Sequence, residues 1–257
     1  MDYALITGAS KGIGKAVAEE LARRKFGLLL VARSEDALKQ TAGELGARYG
    51  VEVDWLALDL STADAAQKVY DWCMAKGYAV QALVNNAGYG LSGPFEKYSL
   101  EEHANMMQLN MGTLVGLTRL FLPAMRNQSR AYIMNIASSA AYQAVPLLSL
   151  YAATKSFVLS FSRGLHQELR SGTVSVTCIS PGATDTDFPN RAQLGEKGMK
   201  TAEKFNMTPS AVASLAVRAM LAGRSEVVVG LVNKVGALMA WLLPKSLVER
   251  TAMKIYE

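Results

Sequence analysis

The sequence predicts an α/β fold: a doubly wound, seven-stranded parallel sheet flanked by helices in three layers. Three observations carry that prediction. Short β-rich apolar runs alternate along the whole chain with segments of helical period. The runs are near-continuously apolar, as parallel strands covered on both faces must be. A glycine-rich turn, TGASKGIG at residues 7–14, joins the first run to the first helical segment.

The elements follow in order. YALIT (3–7) is the first strand. Ile13 to Arg24 is a helix, with Ile13, Val17 and Leu21 one turn apart on one face. Its end carries Arg23, Arg24 and Lys25, cations suited to the negative end of the helix dipole. GLLLVA (27–32) is the second strand. Residues 34–50 form a helix with Ser34 as N-cap and Gly50 as terminator. VDWLALDL (53–60) is the third strand, followed by a helix over 62–76, and QALVNN (81–86) is the fourth. SLEE (99–102) opens a long helix over 99–126 with a capping-box pattern. AYIMNIAS (131–138), a helix over 150–170, VSVTCIS (174–180), a helix over 209–222 and EVVVG (226–230) complete the series.

Half of the 257 residues are apolar and 19% are charged, enough for one sizeable core in a single domain, 1–257. The net charge of +5 favours anionic ligands, but no basic cluster with interleaved aromatics points to nucleic acid. The two cysteines, Cys73 and Cys178, and the two histidines, His103 and His166, have no metal-ligand spacing, so no metal is expected. The cysteines read as buried thiols. The longest apolar run, VGALMAWLL (235–243), is too short to span a bilayer, which takes ~20 residues. An apolar strand starts at Tyr3 with no basic region before it, and the expected compartment is the cytoplasm.

In the glycine turn, Gly8, Gly12 and Gly14 allow the backbone to turn tightly and approach a phosphate, and the helix behind them directs its free N–H groups at it. The spacing is neither G-x-G-x-x-G nor that of a P-loop. With this turn, NNAG at 85–88, Asn110, Ser138, YAATK at 151–155 and PGATDT at 181–186, in this order, the chain resembles the single-domain branch of the short-chain dehydrogenase/reductase family. The resemblance runs from residue 3 to about 230. It implies a Rossmann-type fold and an oxidoreductase that interconverts a ketone or aldehyde and an alcohol with a nicotinamide cofactor.

For the cofactor, the resemblance implies binding by Gly8, Ser10, Lys11, Gly12, Ile13 and Gly14 of the loop. Asp59 and Leu60 would meet the adenine, and Asn86, Ala87 and Gly88 would flank the adenosine ribose. Pro181 and Gly182 would lie near the nicotinamide, with Thr184 and Thr186 on its carboxamide or the pyrophosphate. In dinucleotide folds an acid after the second strand binds a ribose 2′-OH, while an arginine there accommodates a 2′-phosphate. Here Ala32 stands where the acid would be, Arg33 follows, and Lys11 adds a cation, which favours NADP(H).

For catalysis, reduction of a carbonyl needs a proton donor and stabilisation of the developing alkoxide. A free tyrosine, with pKa ~10, cycles poorly near neutrality. Tyr151 and Lys155 lie four apart, on one helix face, so the ammonium can lower the pKa of the phenol. Tyr151 is then acid in reduction and base in oxidation, and Lys155 can also bind the nicotinamide ribose. Ser138, at the carboxyl end of the fifth strand, can hold the substrate oxygen. By resemblance Asn110 holds a water that links Lys155 to solvent.

The resemblance makes 187–208 a substrate lid, to which Phe188, Met199, Phe205 and Met207 could bring apolar contacts. The extension 231–257, split by Pro244, carries Leu247, Val248, Thr251, Ala252 and Ile255 on one face. It either docks on the core or on a partner subunit, or it forms an apolar roof over the substrate or a membrane-surface contact. A lipophilic carbonyl is expected, such as a 3-oxoacyl compound or a steroid. By resemblance the long helices pair between subunits, giving a homodimer or homotetramer. Two other readings are a cofactor-binding regulator without chemistry and a sugar-nucleotide epimerase or dehydratase. The first should lack one of the four catalytic positions; the second usually has G-x-x-G-x-x-G and a larger C-terminal domain.

Overall fold

In the computed structural model, described here for residues 2–256, seven parallel strands form one sheet in the order β3-β2-β1-β4-β5-β6-β7. They are β1 (Tyr3–Thr7), β2 (Gly27–Ala32), β3 (Val53–Ala57), β4 (Val80–Asn85), β5 (Ala131–Ile136), β6 (Val174–Ser180) and β7 (Glu226–Val228). The winding reverses between β1 and β4, which are adjacent, and this is where open α/β sheets bind their ligands.

On one face pack α1 (Gly12–Ala22), α2 (Glu35–Tyr49) and α9 (Pro209–Leu221). On the other pack α3 (Ala65–Ala75), α5 (Thr113–Arg126) and α6 (Ser149–Leu169). Alternate residues of one strand therefore serve opposite cores. Ala4 and Ile6 of β1 join the first, while Leu5 joins the second. Cys73 and Cys178 are both buried, and burial is the main reason that the Cys178 thiol is pushed up to about 11 and Cys73 to about 12.

Several boundaries differ from the sequence expectation for local reasons. Strand β3 stops at Ala57, because Asp59 turns the chain by accepting from the Ser61 N–H at 2.9 Å. Strand β5 stops at Ile136, where Ser138 takes over as cap of a short 3-10 turn, Ser139–Tyr142. Ser34 occupies the N-cap position of α2 without a side-chain capping bond, and Gly50 ends that helix in the left-handed region. The expected long helix 99–126 is three pieces: α4 (Leu100–Met107), a π turn (Gln108–Gly112) and α5. Its capping box is present, with Ser99 and Glu102 each accepting from the other's backbone N–H.

The segment after β6 holds two short helices, α7 (Phe188–Arg191) and α8 (Glu196–Phe205). Its ends are tied together: Met207 N–H donates to Ala183 O at 3.0 Å and Asp185 N–H to Met207 O at 2.9 Å. The extension forms α10 (Leu231–Leu242) and α11 (Lys245–Tyr256). On α11, Ala252 packs with Met106, Val145, Leu148, Tyr151 and Ala152. Leu247 and Thr251, expected on the packed face, point to solvent instead. The side chains of Phe205 and Ile255 lie outside the described residues.

Candidate active site

At the switch between β1 and β4 lies a cavity of about 740 Å3. Its lining contains Gly8, Ser10, Lys11, Gly12, Ile13, Arg33, Asp59, Leu60, Asn86, Ala87, Gly88, Ser138, Tyr151, Lys155, Pro181, Gly182, Thr184 and Thr186. Of the sequence-predicted site residues only Gly14 and Asn110 stand behind this lining.

Gly14 acts through shape. A Cβ there would sit 2.2 Å from the Gly8 carbonyl oxygen and 2.5 Å from Asn86 Nδ2, so only glycine lets α1 start against the end of β1. Gly8, at φ +66°, needs the left-handed region. The loop is sewn to β4 by Thr7, whose hydroxyl accepts from the N–H groups of Asn86 and Ala87 at 2.9 and 3.0 Å. Asn86 Nδ2 donates back to Thr7 O at 2.8 Å. This leaves an open, backbone-lined cradle at a helix N-terminus, which suits a pyrophosphate.

Asn110 sits in the π turn and is buried. Its Oδ1 accepts from Tyr89 N–H at 3.1 Å, and its Nδ2 donates to Tyr89 O at 2.9 Å and to Thr154 Oγ1 at 3.0 Å. The side chain thus pins the strand end that carries Gly88. A Cβ on Gly88 would lie 2.9 Å from Asn110 Oδ1 and 3.3 Å from Lys155 Nζ, so glycine is what lets these two approach. π turns in otherwise α-helical segments often mark functional positions.

Tyr151 and Lys155 are both buried on α6, one turn apart. Lys155 Nζ donates to Ile136 O at 2.9 Å and stands 5.8 Å from the centre of the Tyr151 ring. Burial of the ammonium lowers its pKa from 10.5 to about 8, so it stays mainly charged at neutrality. Ser138 Oγ accepts from Ala140 N–H at 3.1 Å, which leaves its own proton directed elsewhere.

Gly90, Asp187, Arg191 and Asn233 also contribute and were not singled out from the sequence. Gly90 lets Phe188 of α7 reach Tyr151, with ring centres 5.2 Å apart; a Cβ there would meet both rings. Asn233 of α10 donates to Val229 O at 2.7 Å and lies against the bare face of Gly182. Lys11 is paired with Asp187, so the glycine loop is tied to the segment 187–208. Arg191, also from α7, stacks over Tyr89 at 4.3 Å from the ring centre and lines the cavity with Arg33 and Asp59. Burial, then the nearby Arg33, lowers the pKa of its guanidinium. The bond from Ser61 N–H is the main reason that Asp59 is held below the usual carboxylate range, with Arg33 and Arg191 adding to it. Two guanidiniums and one carboxylate make this part of the cavity mainly cationic.

Known proteins are similar to this chain in sequence and in fold. The short chain dehydrogenase family model matches residues 2–197. Very-long-chain 3-oxoacyl-CoA reductase from Anas platyrhynchos is 39% identical over 185 residues, 70% of this chain and 58% of the relative. The Danio rerio reductase-B is 34% identical over 218 residues, covering 77% and 70%. The chain thus spans less than two thirds of the length of the first of these relatives. Among solved structures, a short-chain dehydrogenase from Sphingobium yanoikuyae in complex with NADPH superposes with TM-score 0.82 at 29% identity, covering 94% of this chain and 93% of that one. A short-chain dehydrogenase/reductase from Burkholderia phymatum in complex with NAD gives 0.83 at 26% identity, covering 93% and 92%. With three quarters of its length matched by one family model and its fold shared throughout, the chain belongs to the short chain dehydrogenase family.

Proposed function

We propose that this protein is an NADP(H)-dependent oxidoreductase that interconverts a lipophilic ketone or aldehyde with its alcohol, 3-oxoacyl thioesters being the leading substrate class. The observation that carries this reading is the buried ammonium of Lys155 one turn from Tyr151, in the same cavity as Ser138 and the glycine cradle. The relatives named as 3-oxoacyl-CoA reductases favour the acyl substrate. So does the apolar end of the cavity, where Val145, Leu148, Phe188, Leu194 and Ala252 surround Tyr151.

The cradle of Gly8, Gly12 and Gly14 suits the pyrophosphate, and Lys155 would hold the nicotinamide ribose. The bound nicotinamide would supply the hydride in reduction and accept it in oxidation. Ser138 donates a hydrogen bond to the substrate oxygen, keeping its own proton, and fixes the position of that oxygen. Tyr151 gives that oxygen its proton as negative charge develops there. Lys155, cationic below about pH 8, stabilises the phenolate left behind. Asn110 holds Tyr89 and hence the wall beside Lys155. Preference for the 2′-phosphate rests on Arg33, on Arg191 beside it, and on the absence of an acid at Ala32; Lys11, paired with Asp187, contributes less than expected. Exposed Phe157, stacked on Phe161 of α6, fits the expected pairing of these helices in a cytoplasmic homodimer or homotetramer.

The test is NADPH oxidation over a panel of 3-oxoacyl thioesters, steroids, sugars and simple ketones, with NADH in parallel. Faster turnover with NADPH on a lipophilic carbonyl is expected. Cofactor binding with no turnover on any member would restore the regulator reading.

A further inference from the structure

Helix α10 has two unlike sides. Asn233, Gly236 and Ala237 line the cavity. The other side presents Leu231, Val235, Leu238, Trp241 and Leu242 to solvent, with Leu231 at 77% and Trp241 at 76% exposure, and Leu243 and Leu247 continue the patch past Pro244. Lone exposed apolar residues need no explanation, but a contiguous patch of this kind marks a contact surface.

Its charge pattern says what kind. From Val227 to Val248 there is no Asp or Glu, while Lys234 stands within α10 and Lys245 just after it. Beyond them, Arg250 and Lys254 are balanced by Glu249 and Glu257, so the basic bias lies in 227–248. Trp241 lies at the end of the helix, four residues from Lys245, the arrangement of aromatic and cation that suits the boundary between headgroups and acyl chains. The helix is also one wall of the cavity, so the patch and the cavity share one element.

We propose that the exposed face of α10, with the start of α11, docks the protein on an anionic lipid bilayer, with Trp241 as the interfacial anchor and the cavity opening beside the membrane. Docking needs no membrane-spanning segment, and among the described residues no helix is long and apolar enough to be one. The functional sense of this docking, direct loading of an amphiphilic carbonyl, rests on the lipophilic substrate proposed above. The docking itself does not.

The experiment is flotation of the full chain with phosphatidylglycerol vesicles and with phosphatidylcholine vesicles, at low and high salt. Binding to the anionic vesicles that weakens with salt is expected, with much weaker binding to the neutral ones. The double variant Leu238→Glu, Trp241→Glu should bind about tenfold less or weaker still, since two anchoring side chains are lost from the acyl boundary. Its circular-dichroism melt, within a few degrees of the wild type, shows that it is folded. No flotation of the wild type, or equal flotation of the folded variant, overturns the proposal. So does light scattering that finds a wild-type dimer broken by the variant with no vesicle binding, which would make the face an interface between copies. A water-soluble substrate found in the turnover screen, with flotation intact, would sink only the lipophilic-substrate reading.

Discussion

Tyr151 and Lys155 carry the sharpest expectations at the scale of single residues. Tyr151→Phe removes one hydroxyl and keeps the ring against Phe188. We expect kcat to fall at least ~1000-fold, in the upper part of the usual range for an acid–base group because the oxyanion partner is lost too, with the NADPH dissociation constant changed less than about threefold. Stopped-flow turnover and fluorescence titration measure the two, and a variant of near wild-type kcat would refute the assignment. Lys155 makes a prediction of opposite sign for stability and activity. Its folded pKa, about 8, lies below that of a free lysine, so between about pH 8 and 10.5 the unfolded chain binds more protons than the folded one. That contribution therefore makes folding more stable as pH rises through this window, and at neutrality the buried charge costs on the order of 3 kcal/mol. The thiols oppose it only above pH 9, because their folded pKa values are raised. Urea melts of the cofactor-free protein should therefore show Lys155→Met as stable as the wild type or more so at pH 7. That margin should shrink between pH 8 and 9, while the variant is inactive throughout. A variant several kcal/mol less stable at pH 7 would contradict the burial argument.

Among the elements, the parts of the site that were legible in the sequence are those made by neighbours along the chain. The glycine turn needs only a strand before it and a helix after it, and the Tyr151–Lys155 pair needs only one helical turn. Helix α7 could not be read in this way. Its single turn touches three regions of the cleft at once: Asp187 pairs with Lys11, Phe188 meets Tyr151, and Arg191 stacks on Tyr89 beside Arg33. Nothing in the local pattern FPNR states those distant partners; an unclaimed arginine in a lid was the only signal. The π turn was equally hidden, since one extra residue barely disturbs the helical period of 99–126, and it is the bonds of Asn110 to Tyr89 that reveal its use. The position of Arg191 has a consequence for specificity. Two guanidiniums brought together with Asp59 as the nearby acid gain from an added phosphate dianion. Arg191→Met is expected to raise the KM for NADPH about tenfold, roughly 1.4 kcal/mol, and to change the KM for NADH much less. Steady-state kinetics with both cofactors decide this, and an unchanged NADPH KM would remove Arg191 from the cofactor site.

For the molecule as a whole, the cavity is built where the two halves of the sheet meet, so cofactor binding should stabilise the entire fold. Strands β1 and β2 supply one side, β4 to β6 the other, and residues of the 187–208 segment and of α10 complete the lining. A ligand that binds only the folded state at 100 times its dissociation constant adds about 2.7 kcal/mol. For a domain of this size that raises Tm by roughly 5–10 °C. NADPH should give this shift in differential scanning fluorimetry, and NADH at the same concentration a smaller one, because it lacks the phosphate that Arg33 and Arg191 would hold. Gly14→Ala tests whether the join is the seat of both binding and stability. Its methyl would fall 2.2 Å from the Gly8 carbonyl oxygen, a backbone atom held between β1 and the Asn86 amide, so neither α1 nor the glycine loop can yield without moving the strand ends. The variant should therefore melt lower in the absence of cofactor and also lose most of the NADPH shift. A full shift in that variant would mean that the cofactor is held elsewhere than in this cradle. An NADH shift equal to that of NADPH in the wild type would remove the case for the 2′-phosphate while leaving the cradle intact.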